Sequence, residues 1–386
     1  MILGIDASNI RGGGGVTHLV ELLRAANPLD SGFGSVILWG GKSTLDIVEP
    51  RPWLSKIHVN QLDRGLFFRV LWQTFSLTRL ARDAMCDVLF LPGSTDASGF
   101  EPIVTMSQNL LPFDLSELLR FGWSSKTLRL LLLRWVQSRL FRKAEGIVFL
   151  SSYARDAVLA VTGTLQSDFA IISHGISPRF RQYPRHQRLM NEIDENNPIS
   201  VLYVSIVDLY KHQWHVAEAV AQLKSEGIPI KLDLIGAPST GTKRLQETLR
   251  RIDPDGSFIT YFGGVSYDQL HIHYAAADIG VFASSCETFG MILTEAMSAG
   301  LPIACANRSA MPEILGDAGI YFDPEKPSDI ARALRQLIRS PDLRTQLAQS
   351  AFARAQGFTW ERCADETFSF LAQIAIRHRT SACAAS

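Results

Sequence analysis

The sequence lacks the features that would hold a small disulfide scaffold together. Its five cysteines, Cys86, Cys286, Cys305, Cys363 and Cys383, are odd in number and scattered, with no Cys-x-x-Cys pair. That spacing argues against a disulfide framework or a cysteine-rich zinc site and fits reduced thiols in a cytoplasmic protein. Charge of one sign is also missing: Lys and Arg number 38, and so do Asp and Glu. A general nucleic-acid binder is therefore not expected. No apolar run approaches the ~20 residues that a membrane span needs. The most apolar stretch, LRLLLLRWVQSRLF, is broken by Arg129, Arg134 and Arg139. The opening MILGIDASN has no basic lead, and Asp6 interrupts it, so it reads as a first strand and not as a signal peptide.

At 386 residues the chain is longer than one hydrophobic core usually supports, which predicts two domains. Short apolar runs bounded by Gly, Pro or Asp alternate with helical patterns, the signature of parallel sheets covered by helices. In the first half ILGID, SVILWG, KIHVN, DVLFL, PIVTMS, GIVFLS and FAIIS are expected strands; in the second, SVLYVS, IKLDLIG, FITYFGG, IGVFAS, LPIACA and GIYFD. The polar segment PRFRQYPRHQRLMNEIDENNP (178–198), with three prolines and no apolar periodicity, is expected to connect the halves. The resulting division is 1–180, a connection at 181–198, 199–357, and a C-terminal helix and tail at 358–386, with SACAAS fraying. Two doubly wound sheets in one chain leave a cleft, and such sheets bind ligands at the carboxyl ends of their strands.

The chemistry-bearing residues fall in the loops after strands. In IGVFASSCETFGMILTEAMSAG, Glu287 lies in a strand-to-helix loop, Gly290 opens a helix that carries Glu295, and Gly300 stops it. Backbone N–H groups near Phe289 and Gly290 then form an anion site, and Gly290 lets a ligand approach the backbone. Glu287 can accept hydrogen bonds from sugar hydroxyls and Glu295 from a ribose; taken alone, such a pair is more often a first-turn acid that favours the helix dipole and an exposed helix charge. Lys211, in the loop after SVLYVS, suits a diphosphate as a point charge, though a lone loop lysine is usually just solvated. In MILGIDASNIRGGGGVTHLVELL, glycines at a strand-to-helix turn can face an anion, a weak signal by itself, with the helix expected near Val16. Gln108 and Asn109 stand after PIVTMS, and His174 after FAIIS; a lone histidine is more often structural than chemical.

The run YFGGVSYDQLHIHYAAADIGVFASSCETFGMILTEAMSAGLPIACANRSAMPEILGDAGIYFDPE, with its Glu-x7-Glu motif, Glu-Ala-Met, Gly-Leu-Pro and Pro-Glu-Ile, resembles the retaining glycosyltransferases of family 4. The resemblance implies an α/β architecture, the GT-B fold, with two Rossmann-like domains facing each other across a cleft. It implies that Glu287 holds the donor sugar, Glu295 the ribose, and the amides of Phe289 and Gly290 sugar or phosphate oxygens. Lys211 would sit on the leaving diphosphate, Ser205 would line the donor loop, Val265 and Leu270 would flank the base, and Gly13 and Gly14 would lie across from the diphosphate. Gln108, Asn109 and His174 would serve the acceptor or sugar side. Two departures stand out: Ser205-Ile206 replaces the family's Gly-Arg, and no histidine stands near Asn109, where many members carry one.

The implied function is transfer of a hexose from a nucleotide sugar, GDP-mannose or a UDP-sugar, to a saccharide or lipid-linked saccharide acceptor in polysaccharide or O-antigen (lipopolysaccharide) assembly. No cofactor is implied, and no metal, since no Asp-x-Asp motif stands at a strand end. An idle scaffold of the same fold that binds a sugar nucleotide or partner enzyme is the alternative. Residues 120–143 combine an apolar helical stripe with basic residues and no acid, and 64–82 have the same character. Both suit peripheral contact with an anionic membrane at its inner face, or simply an ordinary covering helix.

Overall fold

The computed structural model describes residues 1–93 and 99–385. Each predicted strand forms. The first sheet contains β1 (Ile2–Asp6), β2 (Ser35–Gly40), β3 (Leu54–His58), β4 (Val88–Leu91), β5 (Ile103–Ser107), β6 (Gly146–Phe149) and β7 (Asp168–Ile171). The second contains β8 (Ile199–Val204), β9 (Ile230–Ile235), β10 (Ile259–Tyr261), β11 (Ile279–Phe282), β12 (Ile303–Ala306) and β13 (Gly319–Phe322). All pairings are parallel, in the orders β3-β2-β1-β4-β5-β6-β7 and β10-β9-β8-β11-β12-β13. The central strands β4, β5, β8, β11 and β12 are buried along their whole length, as continuous apolar runs under helices on both faces must be.

Both sheets are doubly wound, and the order reverses beside the first strand of each. A crevice opens where successive crossovers leave to opposite faces. In the first sheet it lies after β1 and β4; in the second, after β8 and β11.

The chain forms two compact units, one of Met1–Leu118, Trp123–Gly175 and Thr359–Ser386, the other of Leu119–Gly122 and Ile176–Phe358. The helix Trp360–Ala385 packs within the first unit against the helix Gly13–Ala25 and against β4 and β6. The helix assignment includes the alanine-rich stretch up to Ala385.

The polar stretch 181–198 lies inside the second unit. Its anchor is Arg344, which is 1% exposed. Arg344 donates to Gln187 Oε1 at 3.1 Å, to the carbonyls of Leu337 and Ile338 at 2.7 and 2.6 Å, and to the carbonyl of Arg188. Arg185 and Arg188 in turn both pair with Asp278.

Candidate nucleotide-sugar site

The loops after β8, β11 and β12 are tied together. Ser205 continues β8, its N–H donating to Ile235 O at 2.8 Å, and Gln213 Nε2 donates to Ile206 O at 2.9 Å. Close approach of β9's end requires Gly236: a Cβ there would stand 1.8 Å from Ser205 O. Asp208 Oδ1 accepts from Leu209 N at 2.7 Å, capping the short turn Leu209–Lys211, and Tyr203 OH donates to Lys211 O at 2.6 Å. These contacts fix the backbone from which Lys211 extends.

Lys211 is 6% exposed, and its Nζ donates to Glu287 Oε1. The ammonium also lies 4.9 Å from the Tyr210 ring centroid and 5.6 Å from that of Phe282. A cation this buried requires a counter-charge, and Glu287 supplies it. Glu287 is positioned from the other side: its N–H donates to Ser309 Oγ at 3.0 Å, in the loop after β12. The β8 and β11 loops meet again where Ser285 N donates to Tyr210 O at 2.9 Å, and where His212 Nε2 lies 3.0 Å from Ser285 Oγ. Burial first, then the charge of Arg120, depresses the His212 pKa to about 3, so its ring is neutral.

Glu295 is in a different environment. It lies on the helix Met291–Ser298, is 2% exposed, and accepts from Tyr274 OH at 3.1 Å. Burial raises its pKa from the ordinary 4.5 to about 8; hydrogen bonds from Tyr274 and Tyr267 and the charge of Arg179 act the other way. In the unliganded protein near neutral pH the carboxyl is therefore largely protonated. The helix begins at Gly290, whose φ of +88° suits glycine, and no side chain caps it. Its first N–H groups thus point, with the helix dipole, to the crevice end of β11.

The remaining predicted residues fall as follows. Phe289 is buried and packs edge-on against Phe358 at 5.4 Å, so its ring serves the core while its main chain shapes the loop. Val265 is half-buried after β10, and Leu270 is buried at the start of the next helix. In the first unit Gly13 and Gly14 lie in the first turn of the helix Gly13–Ala25, which starts three residues before Val16. Gln108 is near this turn, since a Cβ on Gly15 would stand 3.2 Å from its Oε1. Asn109 Oδ1 accepts from Leu111 N at 3.1 Å, closing a local turn. His174 is buried with His18, their Nδ1 atoms 3.0 Å apart and both rings against Trp360. Burial lowers both pKa values, His18 to about 4, with His18 adding its charge to the depression at His174.

Sequence reasoning did not find Tyr274, Tyr267 and Arg179 around Glu295, nor Ser309 beneath Glu287. Arg179 lies far upstream in sequence, and no spacing signal connects these residues.

Solved structures of low identity match almost the whole chain. Sucrose-phosphate synthase from Thermosynechococcus elongatus aligns over 100% of both chains with a TM-score of 0.76 at 18% identity. HepE from Anabaena, solved in complex with UDP and glucose, aligns over 96% of this chain and 99% of its own with a TM-score of 0.70 at 19% identity. The fold is GT-B. Among curated sequences, the O-antigen chain mannosyltransferase B of Escherichia coli is 36% identical over 112 residues, 29% of each chain. The sulfoquinovosyl transferase of Arabidopsis thaliana is 26% identical over 251 residues, 62% of this chain and 46% of its own. The chain thus spans less than half the length of these curated relatives. Residues 187–354, which hold Lys211, Glu287 and Glu295, match the family model described as Glycosyl transferases group 1.

Proposed function

We propose that this chain is a retaining glycosyltransferase that moves a hexose from a nucleotide sugar to a saccharide or lipid-linked saccharide. The observation that carries the reading is the Lys211–Glu287 pair, held by the β8, β11 and β12 loops beside the uncapped helix that bears Glu295. That set matches the three parts of a nucleotide sugar. Glu295, with Tyr274 beside it, takes the ribose hydroxyls. Lys211 and the helix N–H groups take the diphosphate, whose charge grows as it leaves. Glu287 accepts from the sugar hydroxyls and keeps the Lys211 ammonium oriented.

In the reaction the bond from the anomeric carbon to the diphosphate oxygen breaks, and a bond to the acceptor oxygen forms on the same face. The acceptor's proton passes to the departing diphosphate. The protein contributes positioning and charge neutralisation, and the reading uses no metal. The donor is GDP-mannose, with UDP-sugars next, and the setting is cytoplasmic assembly of a surface polysaccharide. A relative named as an O-antigen mannosyltransferase supports the first donor, and a fold neighbour solved with UDP supports the second. The Gly13–Gly14 turn is assigned to the donor diphosphate and Gln108 to the sugar and acceptor side; Asn109 and His174, engaged in a turn and a buried ring cluster, have the weaker claim.

The test is release of GDP or UDP from radiolabelled donors presented with membrane-extracted glycolipid acceptors. Sugar transfer that Glu287→Ala lowers by at least about a hundredfold, in the range of transition-state contacts, supports the reading. Nucleotide binding without transfer to any acceptor would instead indicate a scaffold that retains the donor fold.

A further inference from the structure

The residue after Lys211 adopts a backbone conformation that its side chain disfavours. His212 has a φ of +53° and a ψ of 29°, in the left-handed region, where a non-glycine residue is uncommon and costs free energy. It stands where the short turn Leu209–Lys211 ends and the helix Gln213–Ser225 begins, and its side chain does not cap that helix. A second cost lies in the ring. His212 is 1% exposed, yet its Nδ1 has no hydrogen-bond partner. Two unfavourable features in one buried residue mark a place where the fold holds a conformation for something other than stability.

What the conformation achieves is a double attachment of the Lys211 loop. Ser285 N donates to Tyr210 O at 2.9 Å, and Ser285 Oγ lies 3.2 Å from the same carbonyl. Because the hydroxyl donates its single proton there, it accepts from His212 Nε2 at 3.0 Å. Tyr210 and His212, the two neighbours of Lys211, are thus both fastened to one residue of the β11 loop. Glu287, the partner of Lys211, follows Ser285 by two residues on that loop. The His212 ring is also stacked on that of His215, with centroids 5.3 Å apart and planes at 13°, and His215 Nδ1 in turn lies 3.0 Å from Pro324 O. A right-handed backbone at 212 would turn the ring away from Ser285 and release one of the two attachments.

We propose that His212 is a positioning residue, which through Ser285 fixes the Lys211 ammonium where the diphosphate of a nucleotide meets it. The inference rests on the nucleotide-sugar reading of this site and names the device that holds its cation in place. Fixing the chain on both sides of Lys211 removes freedom that binding would otherwise have to remove.

The test is calorimetric titration with UDP and GDP, each compared with its nucleoside, in the parent, His212→Asn, Ser285→Ala and the double variant. Asparagine tolerates the left-handed conformation, so His212→Asn keeps the turn and loses the ring. Ser285→Ala keeps turn and ring and removes the hydroxyl between them. Each single variant should lower the preference for diphosphate over nucleoside by about tenfold, the size of one hydrogen bond. Nucleoside affinity should stay at the parent's value, and a fall in step with the diphosphate would make the two residues merely structural and overturn the proposal. The double variant should lose no more than either single one, because both cut the same link. Losses that multiply in the double variant overturn it too, since the residues would then act separately. A parent that prefers the diphosphate, with variants that keep the preference, overturns this proposal alone. A parent with no preference overturns the nucleotide-sugar reading and this proposal with it.

Discussion

Replacing Glu295 by glutamine should make the unliganded protein more stable and the donor site weaker. The carboxyl is buried, and burial holds its pKa near 8 against 4.5 for an ordinary glutamate. Between those values the folded state keeps a proton that the unfolded state releases. Stability therefore falls as pH rises from about 4.5 to 8 and is flat above. At pH 8 the full linkage amounts to about 4 kcal/mol. Water penetration and relaxation around the charged form reduce it, and about 2 kcal/mol is the working figure. Glutamine retains the acceptor for Tyr274 and removes the titration. The variant's thermal midpoint should exceed the parent's by about 4–8 °C at pH 8 for a unit of this size, and the difference should shrink toward zero near pH 4.5. At the same pH 8, affinity for the nucleotide should drop at least tenfold, because a neutral amide is a poorer acceptor for two ribose hydroxyls. Scanning fluorimetry at pH 4.5, 6 and 8, with and without nucleotide, reads both effects. A glutamine variant less stable than the parent at pH 8 would refute the reasoning, since Glu295 would then be a stabilising carboxylate and not a site residue held at a cost.

Gly236→Ala should destabilise the second unit by about 3 kcal/mol or more, because the added Cβ meets the immovable Ser205 carbonyl at 1.8 Å. Gly34→Ala, where nothing lies within 4 Å, should be neutral or slightly stabilising in the same urea titration. Acid should weaken the first unit: His18, with its pKa near 4, and His174 refuse protons that the unfolded chain takes up below about 6.5. Stability is therefore lost as pH falls from about 6.5, by about 1 kcal/mol per pH unit for each histidine that stays neutral. The unfolding midpoint of the Glu295→Gln variant, in which the opposing carboxyl is silent, should drop between pH 6.5 and 5, and a flat profile would contradict it.

Strands were the most legible part of the molecule, because in a parallel sheet covered on both faces they appear as unbroken apolar runs between turn residues. VLFL, ISVLYV and IGVF are such runs. Helix starts were less legible: glycine's poor helix propensity hides the first turn at Gly13–Gly15, where tertiary packing overrides it. Residues 181–198 look like free chain, since polarity is the only local signal. What ties them down is one buried guanidinium, Arg344, from a helix more than 150 residues away in sequence. The same limit governs the site. Lys211, Glu287 and Glu295 stand at strand ends and in a recognisable motif, whereas Tyr274, Arg179 and Ser309 reach them only through the fold. The protonated state of Glu295 is a property of its burial, which no motif encodes.

The most direct test of the central claim is calorimetric titration of the protein with UDP, GDP and the corresponding nucleosides, repeated with Lys211→Ala. A diphosphate site predicts that one nucleoside diphosphate binds at least about a hundredfold more tightly than its nucleoside, a gap of about 3 kcal/mol, and that Lys211→Ala removes most of that gap. Equal affinity for nucleoside and nucleoside diphosphate, or no binding heat with either base, would contradict the assignment of the β8 and β11 loops to a nucleotide sugar.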